Sequence, residues 1–423
     1  MTSHPETFRQ PGPAAGAAPF AAQQSALEGL RMPAGALVVV GVLGFAAALA
    51  LGDRARAWQA FLVNLLYFMG IAQAAVAGSA AFYLTQGRWA GTAHFRLAEA
   101  FANFIPVGFV LFWGLYFGRR ELFPWVLHPV PDKAAWLNVP FLFTRDGLAL
   151  AVLTVLSFYF LRLSRAQEAA RWSASPQDIV LPPAGIRRLA PAVAICYVVV
   201  YTLLAFDLVM SLAPLWRSTL FGWYFVAGSF WSALVAMSFT AVLLGRYLGP
   251  GSVFEQRRVF HDLGKLIFAF SIFWVYLVFA QYIVIWYGDI PVETFFIIRR
   301  ANLMPWAALA WTVLLLVWGL PFFVLLGRKP KETPAILGTI CLLGLVGIWL
   351  ERYVLVVPSL SPETVPFGWV ELAVSAGFLG LFTLCALPGL RRVCEAAWPA
   401  GIEAGERVEA AAPEAHLGAG AGR

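Results

Sequence analysis

Long apolar segments dominate this sequence and restrict the folds open to it. Ten of them have about 18 residues or more: 33–51, 58–84, 97–117, 147–164, 191–213, 219–247, 264–288, 303–326, 334–357 and 368–389. A helix needs about 20 apolar residues to cross the hydrocarbon core of a bilayer. Of the 423 residues, 60% are hydrophobic and 13% are charged, which is about half the charge of a soluble domain. The sequence therefore predicts an all-α, polytopic membrane protein with about ten transmembrane helices.

Two segments without long apolar runs flank these spans. Residues 1–32 are rich in Ala, Pro, Gly and Gln, and they lack the basic start and cleavage site of a signal peptide. Residues 390–423 are similar in composition. We expect both segments to be disordered tails around a single ten-helix membrane domain at 33–389.

The distribution of positive charge predicts the topology. The chain has 30 Lys and Arg residues and a net charge of +7. These basic residues lie mostly singly or in pairs between the apolar runs. A nucleic-acid interface would need a basic stripe, so we expect no nucleic-acid partner. Lys and Arg are more frequent on the side of the two tails than on the opposite side. This bias predicts that both termini are cytoplasmic.

Cysteine and histidine placement argues against a redox centre in this chain. Cys196, Cys341 and Cys385 fall inside apolar runs, Cys394 follows the last run, and the sequence has no CxxC motif. An iron–sulfur cluster or a zinc ribbon would need a clustered set of thiolates. None of the five histidines lies in the middle of a span, where a transmembrane haem would need its axial ligands. We therefore expect no metal and no cofactor bound by this chain.

A few ionisable residues lie within or beside the spans and are candidates for proton transfer, because charge inside a bilayer is costly. Asp207, in the fifth span, is the deepest acid, and Glu99 lies at the cytoplasmic start of the third span. His261, Asp262 and Lys265 open the seventh span at helical spacing. Two alternatives remain open: Asp207 pairing with an Arg of an outer loop, and snorkelling anchors at the start of the seventh span.

A second group of polar residues is predicted near the outer side, where the two longest loops lie. A set of acids, bases and tyrosines beside lipid could converge on Asp207 and hold a quinol headgroup. It could equally form a salt-bridged layer beneath a partner subunit. Its members are His128, Arg145, Tyr282, Tyr287, Asp289, Glu293, Glu351 and Arg352.

A weak internal repeat predicts how the spans group. At an offset of 166 residues Leu97 aligns with Leu263, Glu99 with Lys265 and Phe104 with Phe270. Two four-helix bundles, made of spans two to five and six to nine, would produce this pattern, and parallel repeats of this kind occur in transport folds.

Four segments resemble the NrfD-like membrane subunits of alternative complex III, a quinol:cytochrome c oxidoreductase, and most closely its smaller, F-type subunit. They are DLVMSLAPLWRSTLFGWYFVAGSF at 207–230, HDLGKLIFAFSIFWVYLVFAQYIVIWYGDIPVET at 261–294, KAAWLNVPFLFTR at 133–145 and LERYVLVVPS at 350–359. One departure lies after Met210-Ser211-Leu212. Family members often have an acid and a His there before Trp, and this chain has Ala213, Pro214 and Leu215 instead.

The resemblance implies a fold, partners and roles. It implies two four-helix bundles plus two peripheral helices in the cytoplasmic membrane of a bacterium, without haem or cluster in this chain. It implies a C-type paralogue, an iron–sulfur subunit, multihaem cytochrome c subunits and quinol as partners, besides membrane lipid. It assigns Asp207, His261, Asp262 and Lys265 to proton pathways, and it places quinol more often in the C-type paralogue than in the F-type subunit.

Three functions remain open from sequence. The first is a cofactor-free subunit that contributes to quinol-linked electron transfer and proton translocation. The second is a structural anchor for redox partners. The third is an independent secondary transporter, which the deep Asp207 and the repeat would allow.

Overall fold

The computed structural model describes residues 27–85, 91–173, 184–248 and 257–396, so most of both predicted tails lies outside the described residues. In this part of the chain ten helices are long and apolar enough to cross a membrane. They are α1 (Leu27–Leu51), α2 (Arg54–Leu84), α3 (Leu97–Gly114), α4 (Val139–Ala166), α5 (Gly185–Leu212), α6 (Phe221–Tyr247), α7 (Val259–Gly288), α8 (Trp306–Val324), α9 (Pro334–Leu360) and α10 (Trp369–Cys394). The prediction of an all-α, polytopic membrane protein with ten spans is confirmed.

Helix bounds differ from the predicted ones by a few residues. The α1 and α10 spans extend into 27–32 and 390–394, which the sequence suggests as tail. The third span consists of two helices, Gly91–Ala102 and Ile105–Gly114, and the eighth contains a π-helical turn at Leu315–Gly319. A break in a spanning helix is tolerated where neighbouring groups satisfy the released backbone atoms.

The helices form two bundles and a peripheral pair. Helices α2 to α5 pack as one four-helix bundle, and α6 to α9 pack as the other. The two bundles meet where α2 contacts α6 and α9, and where α5 contacts α6. Helix α2 is almost wholly enclosed by protein, and its many Ala and Gly residues let the neighbouring helices approach closely.

The two faces of the protein differ in their connections. We call the side where α1 begins and α10 ends the terminal face. The opposite side, the loop face, carries the long connections 115–138 and 289–305. These connections contain short helices, Arg119–Leu122 and Pro124–Leu127 in the first and Pro291–Ala301 in the second.

The peripheral pair consists of α1 and α10, which pack along each other, while α10 also contacts α2 and α3. A Cβ atom added to Gly377 would lie 2.7 Å from Cα of Gly41, and one added to Gly41 would overlap Gly377. Only glycine permits this approach of the two backbones. Helix α1 has little other protein contact, because most of its surface faces outward.

We expect Gly377→Leu to separate α1 from α10 and to destabilise the protein by about 1–3 kcal/mol, because the new side chain overpacks the helix contact. The measurement is equilibrium unfolding in mixed detergent micelles. Gly35→Leu is the matched control, since a Cβ at Gly35 would have no neighbour within 4 Å. Equal losses in both variants would contradict the backbone contact.

Candidate functional site

Asp207 lies fully buried in the last turns of α5, beside the loop face. Trp136 donates its Nε1 hydrogen to Oδ1 of this carboxylate at 2.8 Å. Arg145 donates from Nε to Oδ2 at 3.0 Å, and its Nη2 lies 2.6 Å from the same oxygen. Asp207 is therefore half of a charge-assisted pair that ties α4 and the 115–138 connection to α5.

The backbone around Asp207 changes helix type. The regular helix ends at Leu208, and a 3₁₀ turn follows at Met210–Leu212. The hydroxyl of Ser211 donates to the carbonyl oxygen of Asp207 at 2.5 Å. This hydrogen bond satisfies a carbonyl oxygen that would lose its backbone donor where the helix type changes.

Asp146 is a second buried carboxyl group in the same place, and the sequence interpretation missed it. Its side chain is fully buried, and among the described residues neither of its oxygens has a hydrogen-bond partner. Arg145 Nε lies 3.7 Å from Asp146 Oδ1, and Asp146 also interacts with Asp207. The predicted fourth span begins at residue 147, which places Asp146 in the preceding loop. In the structure α4 begins earlier, at Val139, so Asp146 belongs to the helix.

Two aromatic rings pack on Arg145 beside this acidic pair, and Lys133 joins the neighbouring connections of the loop face. The guanidinium of Arg145 lies 3.9 Å from the ring centroid of Trp136 and 4.3 Å from that of Phe141. Lys133 donates to the carbonyl oxygen of Pro214 at 2.5 Å. Burial and the charge of Arg217 lower the pKa of Lys133. The pair is thus screened from water by a cation between rings.

Polar side chains follow α4 from Asp146 towards the terminal face. Asp146, Ser157 and Ser164 lie on one side of α4, since they are three and then two helical turns apart. The rise between them is about 16 Å and about 10 Å. Both serines form hydrogen bonds with other helices of the bundle, Ser157 with Gln73 at 3.1 Å and Ser164 with Tyr83 at 3.0 Å. Next to Ser164, Arg165 donates to Glu99 at 2.8 Å. We call this set the α4 polar stripe.

Glu351 and Arg352 form a second charged pair, deep in α9 where the bundles meet. Both side chains are buried, and Arg352 Nη1 lies 2.9 Å from Glu351 Oε2. Arg352 Nη2 donates to the hydroxyl of Ser229 at 2.9 Å, and the guanidinium lies 3.9 Å from the ring centroid of Phe225. These contacts fix Arg352 against α6.

The three predicted residues at the start of α7 do come together on the terminal face. Asp262 Oδ1 lies 2.9 Å from Nζ of Lys265 and 3.6 Å from Nδ1 of His261. Lys265 is more than half exposed. Glu99, predicted to act on the same side, is buried in the other bundle and pairs with Arg165.

The eight residues predicted to converge near the outer side do not form one cluster. Arg145 alone among them pairs with Asp207 in the part of the chain that the structure describes, while Glu351 and Arg352 lie deeper. The others are spread over α7 and the loops. His128, Tyr282 and Tyr287 are exposed, Asp289 follows the end of α7 with a φ of 45°, and Glu293 lies 3.8 Å from Arg217.

The described residues contain no group of three His, Cys, Asp or Glu side chains that could hold a metal ion. No protein-family model matches this chain, and no curated protein matches it either. The resemblance to NrfD-like subunits therefore depends on the four segments alone.

Proposed function

We propose that this chain is a cofactor-free, proton-conducting membrane subunit of a quinol:cytochrome c oxidoreductase of the NrfD-like, alternative complex III type. The four sequence segments support the family, and the two four-helix bundles with a peripheral pair agree with the fold that the family implies. In this proposal both termini are cytoplasmic, the membrane is the bacterial cytoplasmic membrane, and the loop face is periplasmic.

The carrying observation is the charge balance around Arg145. Two buried carboxyl groups, Asp146 and Asp207, face one guanidinium. With both acids ionised, the site would hold one uncompensated negative charge inside the protein, which is costly. A proton bound to the pair removes this cost, so the pair can take up and release a proton when its surroundings change.

The α4 polar stripe gives this proton a direction. Glu99 and Arg165 lie at the terminal face, and the Ser164–Tyr83 and Ser157–Gln73 pairs lie between them and Asp146. Hydroxyl and amide groups both donate and accept hydrogen bonds. In the proposed path water molecules bridge the longer intervals along α4.

Electron transfer belongs to the partners in this proposal. Quinol, bound by this chain or by a C-type paralogue, gives up two protons and two electrons. The electrons pass to the iron–sulfur and multihaem cytochrome c subunits. This chain contributes to the reaction by moving protons within the membrane.

Asp146→Asn tests the path in the intact complex. The substitution keeps the size of the side chain and removes the carboxyl group that would hold the proton. We expect the rate of proton translocation to fall by a factor on the order of 10², measured with reconstituted complex and quinol as donor. The control is Asp132→Asn, an exposed acid of the same loop face, which should leave translocation unchanged.

Two results would contradict the proposal. Wild-type translocation by the Asp146→Asn complex would remove the proton path. Purification of the chain alone, without haem c or iron–sulfur protein but with solute uptake in vesicles, would favour a secondary transporter.

A scaffold role is the second candidate, and the loop face favours it. Apolar side chains are exposed there, in connections outside the spans: Leu127, Leu215, Ile290 and Met304. Exposed apolar groups clustered outside the bilayer often mark a protein interface. A chain that acts only as a scaffold would lose complex assembly when these residues are made polar, yet keep full translocation in Asp146→Asn.

A further inference from the structure

One lysine on the terminal face has a buried stem and no acidic partner among the described residues. Lys331 belongs to the short helix Arg328–Glu332 between α8 and α9, and its relative exposure is 9%. Within the described part of the chain no carboxylate or carbonyl oxygen lies in hydrogen-bonding range of its ammonium. Its stem is covered by protein, but its Nζ does not belong to the fully buried polar atoms, so the ammonium stays open to a ligand at the surface.

The packing around Lys331 holds the side chain inward. Its aliphatic stem lies against α7 at Gly264, where an added Cβ would be 2.9 Å from Cγ of Lys331. The ammonium lies 5.2 Å from the ring centroid of Phe268. The ring of Phe268 in turn stacks on Phe322 of α8 at 5.5 Å. The stem of Lys331 is therefore fixed between three helices, and an aromatic face lies beside its charge.

A second cation faces the same place. Burial and the positive charge of Lys265 lower the pKa of Lys331. Lys265 lies 2.9 Å from Asp262, which compensates its charge, and Arg328 lies 2.6 Å from Glu332. Within the described residues these acids pair with other cations, so Lys331 has no acidic partner of its own. An anion between Lys331 and Lys265 would balance its charge.

The neighbouring surface is apolar and exposed. Phe323 and Leu326, at the end of α8, are 70% and 63% exposed. Exposed apolar side chains and an accessible ammonium, at the level where the spans end, match the two parts of a phospholipid. The phosphate group would meet the lysines, and the acyl chains would pack along α8.

We propose that Lys331 and Lys265 bind the phosphate group of an anionic phospholipid at the terminal face, between α7 and α9. This site lies apart from the acidic pair and from the α4 polar stripe, and it assigns a role to Lys331 that proton transfer does not require. A bound lipid would link the short helix Arg328–Glu332 to α7 and so stabilise the second bundle.

Native mass spectrometry of the full chain in neutral detergent tests the site, with phosphatidylglycerol as the probe and phosphatidylcholine as its uncharged counterpart. We expect phosphatidylglycerol to bind the wild type more tightly than phosphatidylcholine. Lys331→Gln should weaken phosphatidylglycerol about tenfold, the loss of one charge-assisted hydrogen bond. Lys331→Arg should keep the affinity within about threefold. Lys329→Gln removes an exposed charge of the same helix and should change it less than about twofold.

Three outcomes would overturn the proposal. The first is equal phosphatidylglycerol affinity in Lys331→Gln and wild type, with unchanged helix content by circular dichroism. The second is equal binding of phosphatidylglycerol and phosphatidylcholine. The third is displacement of phosphatidylglycerol by inorganic phosphate at equal concentration, which would make this a site for free anions rather than for lipid.

Discussion

Replacing Arg352 with methionine should lower the free energy of unfolding by about 3–5 kcal/mol. The substitution keeps an unbranched side chain but leaves the buried carboxylate of Glu351 without the guanidinium that lies 2.9 Å away. It also removes the donor to Ser229. Equilibrium unfolding in mixed detergent micelles measures the loss.

Arg217→Met is the matched control for this variant. Arg217 is 77% exposed and lies 3.8 Å from Glu293, so we expect a change below about 1 kcal/mol. Combining Glu351→Gln with Arg352→Met should recover most of the loss, because no unpaired charge is then buried. If the double variant were as unstable as Arg352→Met alone, the buried charge would not be the cause.

Replacing Arg300 with glutamine should cost about 2–4 kcal/mol, since hydrogen bonds from a charged donor are worth about 1.5–3 kcal/mol each. Arg300 donates to the carbonyl oxygens of Val354 and Leu355 at 2.9 Å and to the hydroxyl of Ser359 at 2.7 Å. Its guanidinium also lies 3.4 Å from the ring centroid of Phe296. Unfolding in the same micelles measures the effect.

Pro358 explains why α9 needs this arginine. Proline has no N–H, so the carbonyl of Val354, four residues earlier, loses its partner within the helix. Arg300 supplies a substitute donor. Pro358→Ala restores the N–H at position 358, and Arg300→Gln should then cost less than in the wild-type background. A double-mutant cycle without coupling would contradict this relation.

Sequence patterns are sufficient for the spans and insufficient for the contacts between them. The apolar runs predict all ten helices, because length and hydrophobicity alone decide what can cross a bilayer. Chance similarity between apolar helices makes the repeat a weak guide, yet the grouping it favours agrees with the packing of α2 to α5 and α6 to α9.

Sequence predicts the residues of the candidate site only where a charged residue lies well inside an apolar span. Asp207 stands out because an acid within a span is rare, and its pairing with Arg145 is one of the alternatives that sequence leaves open. Asp146 lies at a helix start, where sequence does not reveal which side of the helix a residue occupies. Sequence also does not show which way Tyr282 and Tyr287 point from their helix, so it groups them with Asp207. In the structure both are exposed on α7.

The pairing of α1 with α10 also has a consequence for biosynthesis. Gly41 leaves the ribosome more than 300 residues before Gly377, the residue it packs against. At ordinary translation rates of about 5–20 residues per second, this interval lasts roughly 20–70 s. Helix α1 is the most hydrophobic of the ten spans, so it can reside in the bilayer without a protein neighbour during that time. The last helix to be synthesised thus completes the packing of the first.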